Sequence, residues 1–117
     1  MKFEERTLTP HAEPITAQEL EEGAIYFSVN YVDEALLIPT METLVFIGRN
    51  LEPGDRGQVY FQDIDSYLRG VRYKAASKDD AARFSAGSEK EVSHIFQYER
   101  ALEELMRCSV QRRKSVL

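Results

Sequence analysis

Long apolar runs and paired cysteines are both absent from this sequence of 117 residues. The longest apolar runs, such as residues 44–47, have four residues, far below the ~20 that a membrane-spanning helix needs. The first residues, MKFEERTLTPHAEP, contain no apolar stretch of signal-peptide length. The single cysteine, Cys108, has no second cysteine with which to form an internal disulfide. We therefore expect a cytoplasmic protein that spans no membrane.

Basic charge is also scarce, and it is unevenly placed. The formal net charge is −5, which argues against general nucleic-acid binding because phosphates attract a basic surface. Residues 1–52 hold ten acids and three bases, whereas residues 107–117 hold four bases and no acid. Two interpretations of the basic segment stay open. Its cations complete a helix C-terminus, or they form a tail that docks on an acidic surface of a partner.

Residue patterns that support metal or nucleophilic chemistry are missing. Two histidines and one cysteine are too few for a zinc site, and the chain has neither a phosphate-binding loop nor an EF-hand. His94 and Cys108 lie fourteen positions apart. On one continuous helix that spacing is ~21 Å, so they would not form a catalytic pair. We expect no cofactor and no metal.

Hydrophobic periodicity predicts an α+β domain. Alternation over residues 24–32 and 58–62, and an apolar run over 43–48, predict a mostly antiparallel sheet of three to four strands. The weak alternation over 71–74 is the candidate for the fourth strand. Residues 75–87 are ambiguous, and within them Ala81 to Ser85 fit either a strand or a helical turn.

Capping residues predict where three helices begin. A capping box at Thr16 opens a short helix over 17–22, and Asp63 caps another over 64–69. A second capping box, at Ser88, opens the longest helix, predicted over 89–107, where an apolar stripe would pack on one face of the sheet. That stripe consists of Val92, Ile95, Phe96, Leu102, Leu105 and Met106.

The chain divides into three parts on this interpretation. Prolines and the lack of periodicity make residues 1–14 an extended N-terminal arm. Residues 15–107 form a single α+β domain, and residues 108–117 form the basic C-terminal tail. The predicted core consists of Ile25, Phe27, Val29, Leu44, Phe46, Val59, Phe61, Ile95, Phe96 and Leu102.

The side of the sheet that faces away from this predicted core carries no charge. Tyrosine is enriched at protein interfaces because its ring buries area while its hydroxyl keeps a hydrogen bond. The candidate interface consists of Tyr26, Ser28, Asn30, Tyr60 and Gln62. We expect a non-enzymatic protein-binding or regulatory module that contacts a protein partner, or a second copy of itself, through this face. The open alternative is that the N-terminal arm or residues 75–87 cover it.

A polar corner follows the third predicted strand, in the segment GQVYFQDIDSYLRG over residues 57–70. Asp63, Asp65 and Tyr67 support a second hypothesis, a small hydrolase or ligand-binding enzyme that uses carboxylates at the strand-to-helix corner 60–67. The structural alternative is that both acids stabilise the start of the helix. A closed cleft with a raised carboxyl pKa would favour the enzyme, and a flat, uncovered Tyr/Gln surface would favour the binding module.

Overall fold

The computed structural model describes the backbone of residues 12–115 and the side chains of residues 12–109. It confirms the α+β class: an antiparallel sheet carries one long C-terminal helix. The strands are β1 (Ile25–Tyr31), β2 (Pro39–Arg49), β3 (Gln58–Asp63), β4 (Phe84–Ser88) and β5 (Ile95–Phe96). The helices are α1 (Ile64–Leu68) and α2 (Tyr98–Ser115), with 3-10 turns at Ala17–Glu19, Tyr73–Ala75, Lys78–Asp80 and Glu89–Glu91.

The strands lie in the order β4-β3-β2-β1-β5, and every neighbouring pair is antiparallel. Five strands among the described residues exceed the three to four predicted. The ambiguous residues 75–87 contribute most of β4, whereas the strand predicted over 71–74 gives way to the 3-10 turn at Tyr73–Ala75. Pro39 begins β2 opposite Tyr31, at the end of the ladder, where the missing N–H is tolerated.

The C-terminal helix begins at Tyr98 rather than at residue 89, as the sequence had predicted. Ile95 and Phe96 instead form β5 and pair with Ser28 and Phe27 on β1. Neighbouring residues of a strand point to opposite faces, so Ile95 and Phe96 are both buried, one on each side of the sheet.

The apolar stripe predicted for the long helix is wrong except at Leu105, which packs from α2 against the cluster that contains Val29, Phe96 and Ala101. Leu102 and Met106 are exposed, and the buried side of α2 carries Ala101, Glu104 and Cys108. Of the other predicted helices, α1 is confirmed at 64–68. The helix predicted over 17–22 is a single 3-10 turn, with the expected hydrogen bond from Thr16 N to Glu19 Oε1 at 3.1 Å.

Two hydrophobic clusters cover opposite faces of the sheet. Tyr26 pairs with Leu44 and Phe46 pairs with Phe61, which defines the first face. Its cluster consists of Ile15, Leu20, Tyr26, Leu44, Phe46, Val59, Phe61, Val92 and Ile95. The second face carries Ile25, Phe27, Val29, Val45 and Gln62, and α2 packs on its β1 end through Val29, Phe96 and Ala101.

The chain ends of the predicted layout are only partly described. Residues 108–115 continue α2. Residues 1–11 of the predicted arm and residues 116–117 of the predicted tail lie outside the described residues. No helix in the described part is both long and apolar enough to cross a membrane.

Candidate functional site

The five residues of the predicted interface do not share a face of the sheet. Tyr26 pairs with Leu44, whereas Gln62 pairs with Val45. Because Leu44 and Val45 are neighbours on one strand, their side chains point to opposite faces. Tyr26, with Ser28 and Asn30, therefore lies on the first face, and Gln62 with Tyr60 lies on the second. The single surface that the sequence predicted does not form, and whether any of its residues binds a partner stays a prediction.

Burial also argues against a binding role for most of these five residues. Tyr26, Ser28, Tyr60 and Gln62 are buried by the chain itself, and Asn30 alone among the five is exposed. The Tyr26 hydroxyl accepts a hydrogen bond from Glu21 N at 2.9 Å, and the Tyr60 hydroxyl donates to Asp55. The polar ends of these tyrosines thus fasten neighbouring loops of the same chain.

The first carboxylate of the predicted corner is a helix cap. Asp63 accepts hydrogen bonds from Ser66 N (3.0 Å), Ser66 Oγ (2.6 Å) and Arg83 N (2.7 Å). Burial acts to raise the pKa of Asp63, but the hydrogen bonds from Ser66 and the Arg83 amide outweigh it and lower the pKa to about 2. A carboxyl group that is this strongly ionised is poorly matched to general acid catalysis near neutral pH.

The other two members of that corner are engaged separately. The Asp65 side chain is 80% exposed and forms an ion pair with Arg69 at 3.1 Å. The Tyr67 ring lies beneath the Arg72 guanidinium, whose carbon is 4.1 Å from the ring centroid. The described residues also bring together no group of three His, Cys, Asp or Glu side chains that would suit a metal ion.

A buried network that the sequence did not reveal ties α2 to β1 and to the start of the described chain. Glu104 is 2% exposed. Its Oε1 accepts from Ala12 N at 2.9 Å, and its Oε2 accepts from the Tyr31 hydroxyl and from Arg107 Nη2, the latter at 3.3 Å. Burial, reinforced by the bond to Glu104, raises the pKa of Tyr31 to about 12. Arg107 belongs to the basic segment of residues 107–117 described above, and in the structure it is buried against Glu104.

A cavity of about 700 Å³ opens beside this network. Val29, Leu36 and Phe96 supply apolar walls, and Glu104 and His94 also line it. His94 is half-buried, and that burial lowers its pKa, which keeps the imidazole neutral at pH 7. The cavity thus combines apolar walls with a neutral imidazole and a carboxylate that already accepts several hydrogen bonds.

Exposed apolar side chains concentrate where the second face is left open. Ile25 and Met41 lie on this face because they pair with Val45 and Val29. The Tyr98 ring of α2 lies over Phe27, with 5.6 Å between the ring centroids. The interhelical strip, as we name this surface, consists of Ile25, Met41, Tyr98, Leu102 and Met106.

The helix presents one flank to this strip. Tyr98, Leu102 and Met106 follow each other at four-residue spacing and so line one side of α2. Glu104 reaches Ala12 from another side of the helix, and residues 12–15 run beside β5, as Ile15 N bonds Ile95 O at 2.9 Å. The apolar flank therefore faces the opposite way, toward β2.

The chain matches no protein-family model, no curated protein and no solved structure.

Proposed function

We propose that this chain is a protein-binding module and that the interhelical strip is its contact surface. The proposal depends on one observation. Five large apolar side chains that share this open part of the molecule keep much of their surface in contact with water. Their exposed fractions are 50% for Ile25, 51% for Met41, 61% for Tyr98, 42% for Leu102 and 67% for Met106. Single exposed apolar residues are ordinary, but a contiguous group marks an interaction site.

The composition of the strip supports a protein as its partner. Tyrosine and methionine are enriched at protein interfaces, and methionine adapts its shape to the surface it meets. The solvent side of α2 next to the strip carries charge, with Arg100 Nη1 bonded to Glu103 Oε2 at 2.7 Å. An apolar centre with a charged rim is the usual arrangement of a protein interface.

The shape of the strip narrows the kind of partner. It lies between the flank of a helix and the uncovered part of a sheet, so its complement is a narrow apolar ridge. One face of an amphipathic helix presents such a ridge at three- and four-residue spacing. The class of function is the one that the sequence predicted, while the proposed surface is a different one.

Site-specific photo-crosslinking in the native cell tests the proposal. We expect a crosslinker at position 102 to give a discrete protein adduct, and one at the exposed position 79, in the 3-10 turn Lys78–Asp80, to give none. Leu102→Glu should abolish partner binding without changing the melting temperature, because the position is already 42% exposed. Gln18→Glu is the matched control: it adds the same single negative charge at an exposed position of the 3-10 turn Ala17–Glu19, outside the strip, and should retain binding.

The result that would overturn the proposal is equal crosslinking from positions 102 and 79, or binding that survives Leu102→Glu. Sedimentation equilibrium distinguishes the remaining case. A dimer that Leu102→Glu dissociates and Gln18→Glu leaves intact would assign the strip to contact between copies of this chain, in place of a different partner.

A further inference from the structure

A second cavity, of about 350 Å³, opens beside α1 at the other end of the second face. Its lining includes Gln62, which is 0% exposed to solvent and so forms part of the floor. Around it stand two tyrosines, two cations and one carboxylate: Tyr67, Tyr73, Arg72, Lys74 and Glu22. Ligand cavities of small proteins begin at roughly this volume.

The amide of Gln62 leaves an unmet hydrogen-bond acceptor at this floor. Its Nε2 donates to Ser66 Oγ and to the Val71 carbonyl oxygen, both at 2.9 Å. A carbonyl oxygen only accepts, so the bond to Val71 fixes which end of the amide is the nitrogen. The other end, Oε1, is buried and accepts no hydrogen bond from the described residues. Buried acceptors are rarely left unpaired, and each exception calls for an explanation.

One wall of the cavity is held rigidly. The Tyr73 ring packs edge-on against Tyr60 and Phe84, with centroid distances of 5.4 and 5.1 Å. Its hydroxyl donates to Glu52 Oε1 at 2.7 Å. Lys74 is anchored through Nζ to the Leu51 carbonyl oxygen at 2.6 Å, and two of its three ammonium hydrogens are left for other acceptors.

Two other residues of the lining, Arg72 and Tyr67, have donors to spare. Arg72 uses Nη1 to bind the carbonyl oxygens of Tyr67 (3.1 Å) and Val71 (2.9 Å), and its Nη2 and Nε make no hydrogen bond to the described residues. The Tyr67 hydroxyl likewise makes none with the described residues, although it lies at the cavity. Together these groups offer several donors, two of them cationic, around one deep acceptor.

We propose that this cavity binds a small anion that carries a planar ring with an N–H or O–H donor. The ring lies along the fixed Tyr73 wall, and its donor bonds Gln62 Oε1, which is covered in the free chain and becomes accessible when the lining residues above it move aside. The anionic group meets Arg72, Lys74 and the Tyr67 hydroxyl, where a charge-assisted bond to guanidinium is strong. Glu22 repels an anion, so the anionic group lies on the side of the two cations. Hydroxybenzoates and nucleoside monophosphates share this chemistry.

This site is separate from the interhelical strip, and the inference does not depend on the proposed function. Two probes distinguish the sources of the ligand: 4-hydroxybenzoate and uridine 5′-monophosphate. Titration of each into the ¹⁵N-labelled protein, followed by NMR, should shift the side-chain amide signals of Gln62 and the backbone amides of residues 71–74. Shifts by one probe alone identify that source, and shifts by both show that the shared chemistry is sufficient.

Two variants test the contacts, and circular dichroism of each checks that the fold is retained. Arg72→Gln removes the charged donor and should weaken probe binding about tenfold or more. Tyr67→Phe removes a hydroxyl that bonds nothing among the described residues, so it should weaken binding while the melting temperature stays unchanged. Arg69→Gln and Tyr98→Phe are the matched controls outside the cavity and should bind the probe as the parent chain does.

Two results would overturn the inference. In the first, neither probe shifts the Gln62 amide signals. In the second, a probe shifts them, but Arg72→Gln and Tyr67→Phe bind it as tightly as the two control variants do.

Discussion

The two helices on the second face of the sheet are held in opposite ways. At α1, most of the hydrogen bonds join near neighbours in sequence: Asp63 accepts from Ser66 three positions on, and Gln62 donates to Ser66 four positions on. The farthest partner of Asp63 is Arg83 N, 20 positions away. At α2, Glu104 reaches Tyr31 and Ala12, which lie 73 and 92 positions away. The α1 corner is a local structure, whereas the α2 contact depends on three distant parts of the chain meeting.

This difference predicts that substitutions in the two regions lower the free energy of unfolding by different amounts. A cap at the edge of the sheet is replaced in part by water when it is removed, so its loss is modest. A buried carboxylate that serves a tyrosine, an arginine and a backbone amide costs more to remove, because its loss leaves the buried Arg107 guanidinium without its counter-charge. The two regions should therefore separate clearly in stability measurements.

Glu104→Ala should produce the largest effect. It leaves Arg107 as a buried charge without its carboxylate, and it removes the acceptor of the Tyr31 hydroxyl and of Ala12 N. Breaking a buried ion pair by removing one partner costs ~3–5 kcal/mol. Urea unfolding followed by circular dichroism measures the change in the free energy of unfolding.

Glu103→Ala is the control for this prediction. Its side chain is 53% exposed and pairs with Arg100 on the surface, so the expected loss is below ~0.5 kcal/mol. If the two variants lose similar free energy, the network at Glu104 contributes no more than a surface ion pair.

The comparison also shows how far the sequence reveals the fold. The α1 corner was predicted because its signals are local: Asp63 before an apolar residue, and Ser66 three positions later. The start of α2 was not, because Ile95 and Phe96 are adjacent and fit a helical stripe as well as a two-residue strand. The pairing with Phe27 and Ser28 that decides it lies far away in the sequence.

The candidate surfaces depended on the same distinction. Alternation in β1 identifies two faces but not which of them joins the face of Phe46, since β2 is apolar on both sides. In the structure Tyr26, and not Ile25, lies on the same face as Phe46. Tyr26 is therefore buried in the core, and Ile25 is exposed at the surface. Glu104 was not predicted to be buried, because the start of α2 must be known before its buried face can be identified. The signal that was available is the spacing of Glu104 from Ala101 and Cys108.

Asp63→Ala should produce the second-largest effect. It removes the N-cap of α1 and leaves Ser66 N, Ser66 Oγ and Arg83 N without their acceptor. The loss of a cap costs ~1–2 kcal/mol, measured by urea unfolding as above. Asp65→Ala, on the same helix but 80% exposed in its side chain, should cost below ~0.5 kcal/mol. Equal losses for the two acids would mean that the cap does not hold the corner.

Tyr31→Phe tests the α2 contact more gently, because Glu104 keeps Arg107 and Ala12 as donors. We expect a loss of about 1 kcal/mol at pH 8. The pKa of Tyr31 is raised from 10.0 to about 12 in the folded chain, so its proton stabilises the fold below pH 10, and that contribution is lost as the pH rises toward 12. The difference between the parent chain and Tyr31→Phe should therefore shrink over this range. A difference that stays constant from pH 8 to 12 would contradict the network.

Asp63→Asn should have the smallest effect and give the mirror image at acid pH. Asparagine caps a helix about as well as aspartate but offers one accepting oxygen where Asp63 uses two, so at pH 7 we expect a loss below about 1 kcal/mol. The pKa of Asp63 is lowered from 3.8 to about 2. The stability that the ionised group contributes is therefore present above about pH 4 and is lost as the pH falls toward 2. The difference in free energy of unfolding between the parent chain and Asp63→Asn should shrink over that window, while the difference for Tyr31→Phe stays constant there. Acid would then weaken the α1 corner through Asp63, and alkali would weaken the α2 contact through Tyr31. If the free-energy differences of both variants change over the same pH range, one group controls both regions.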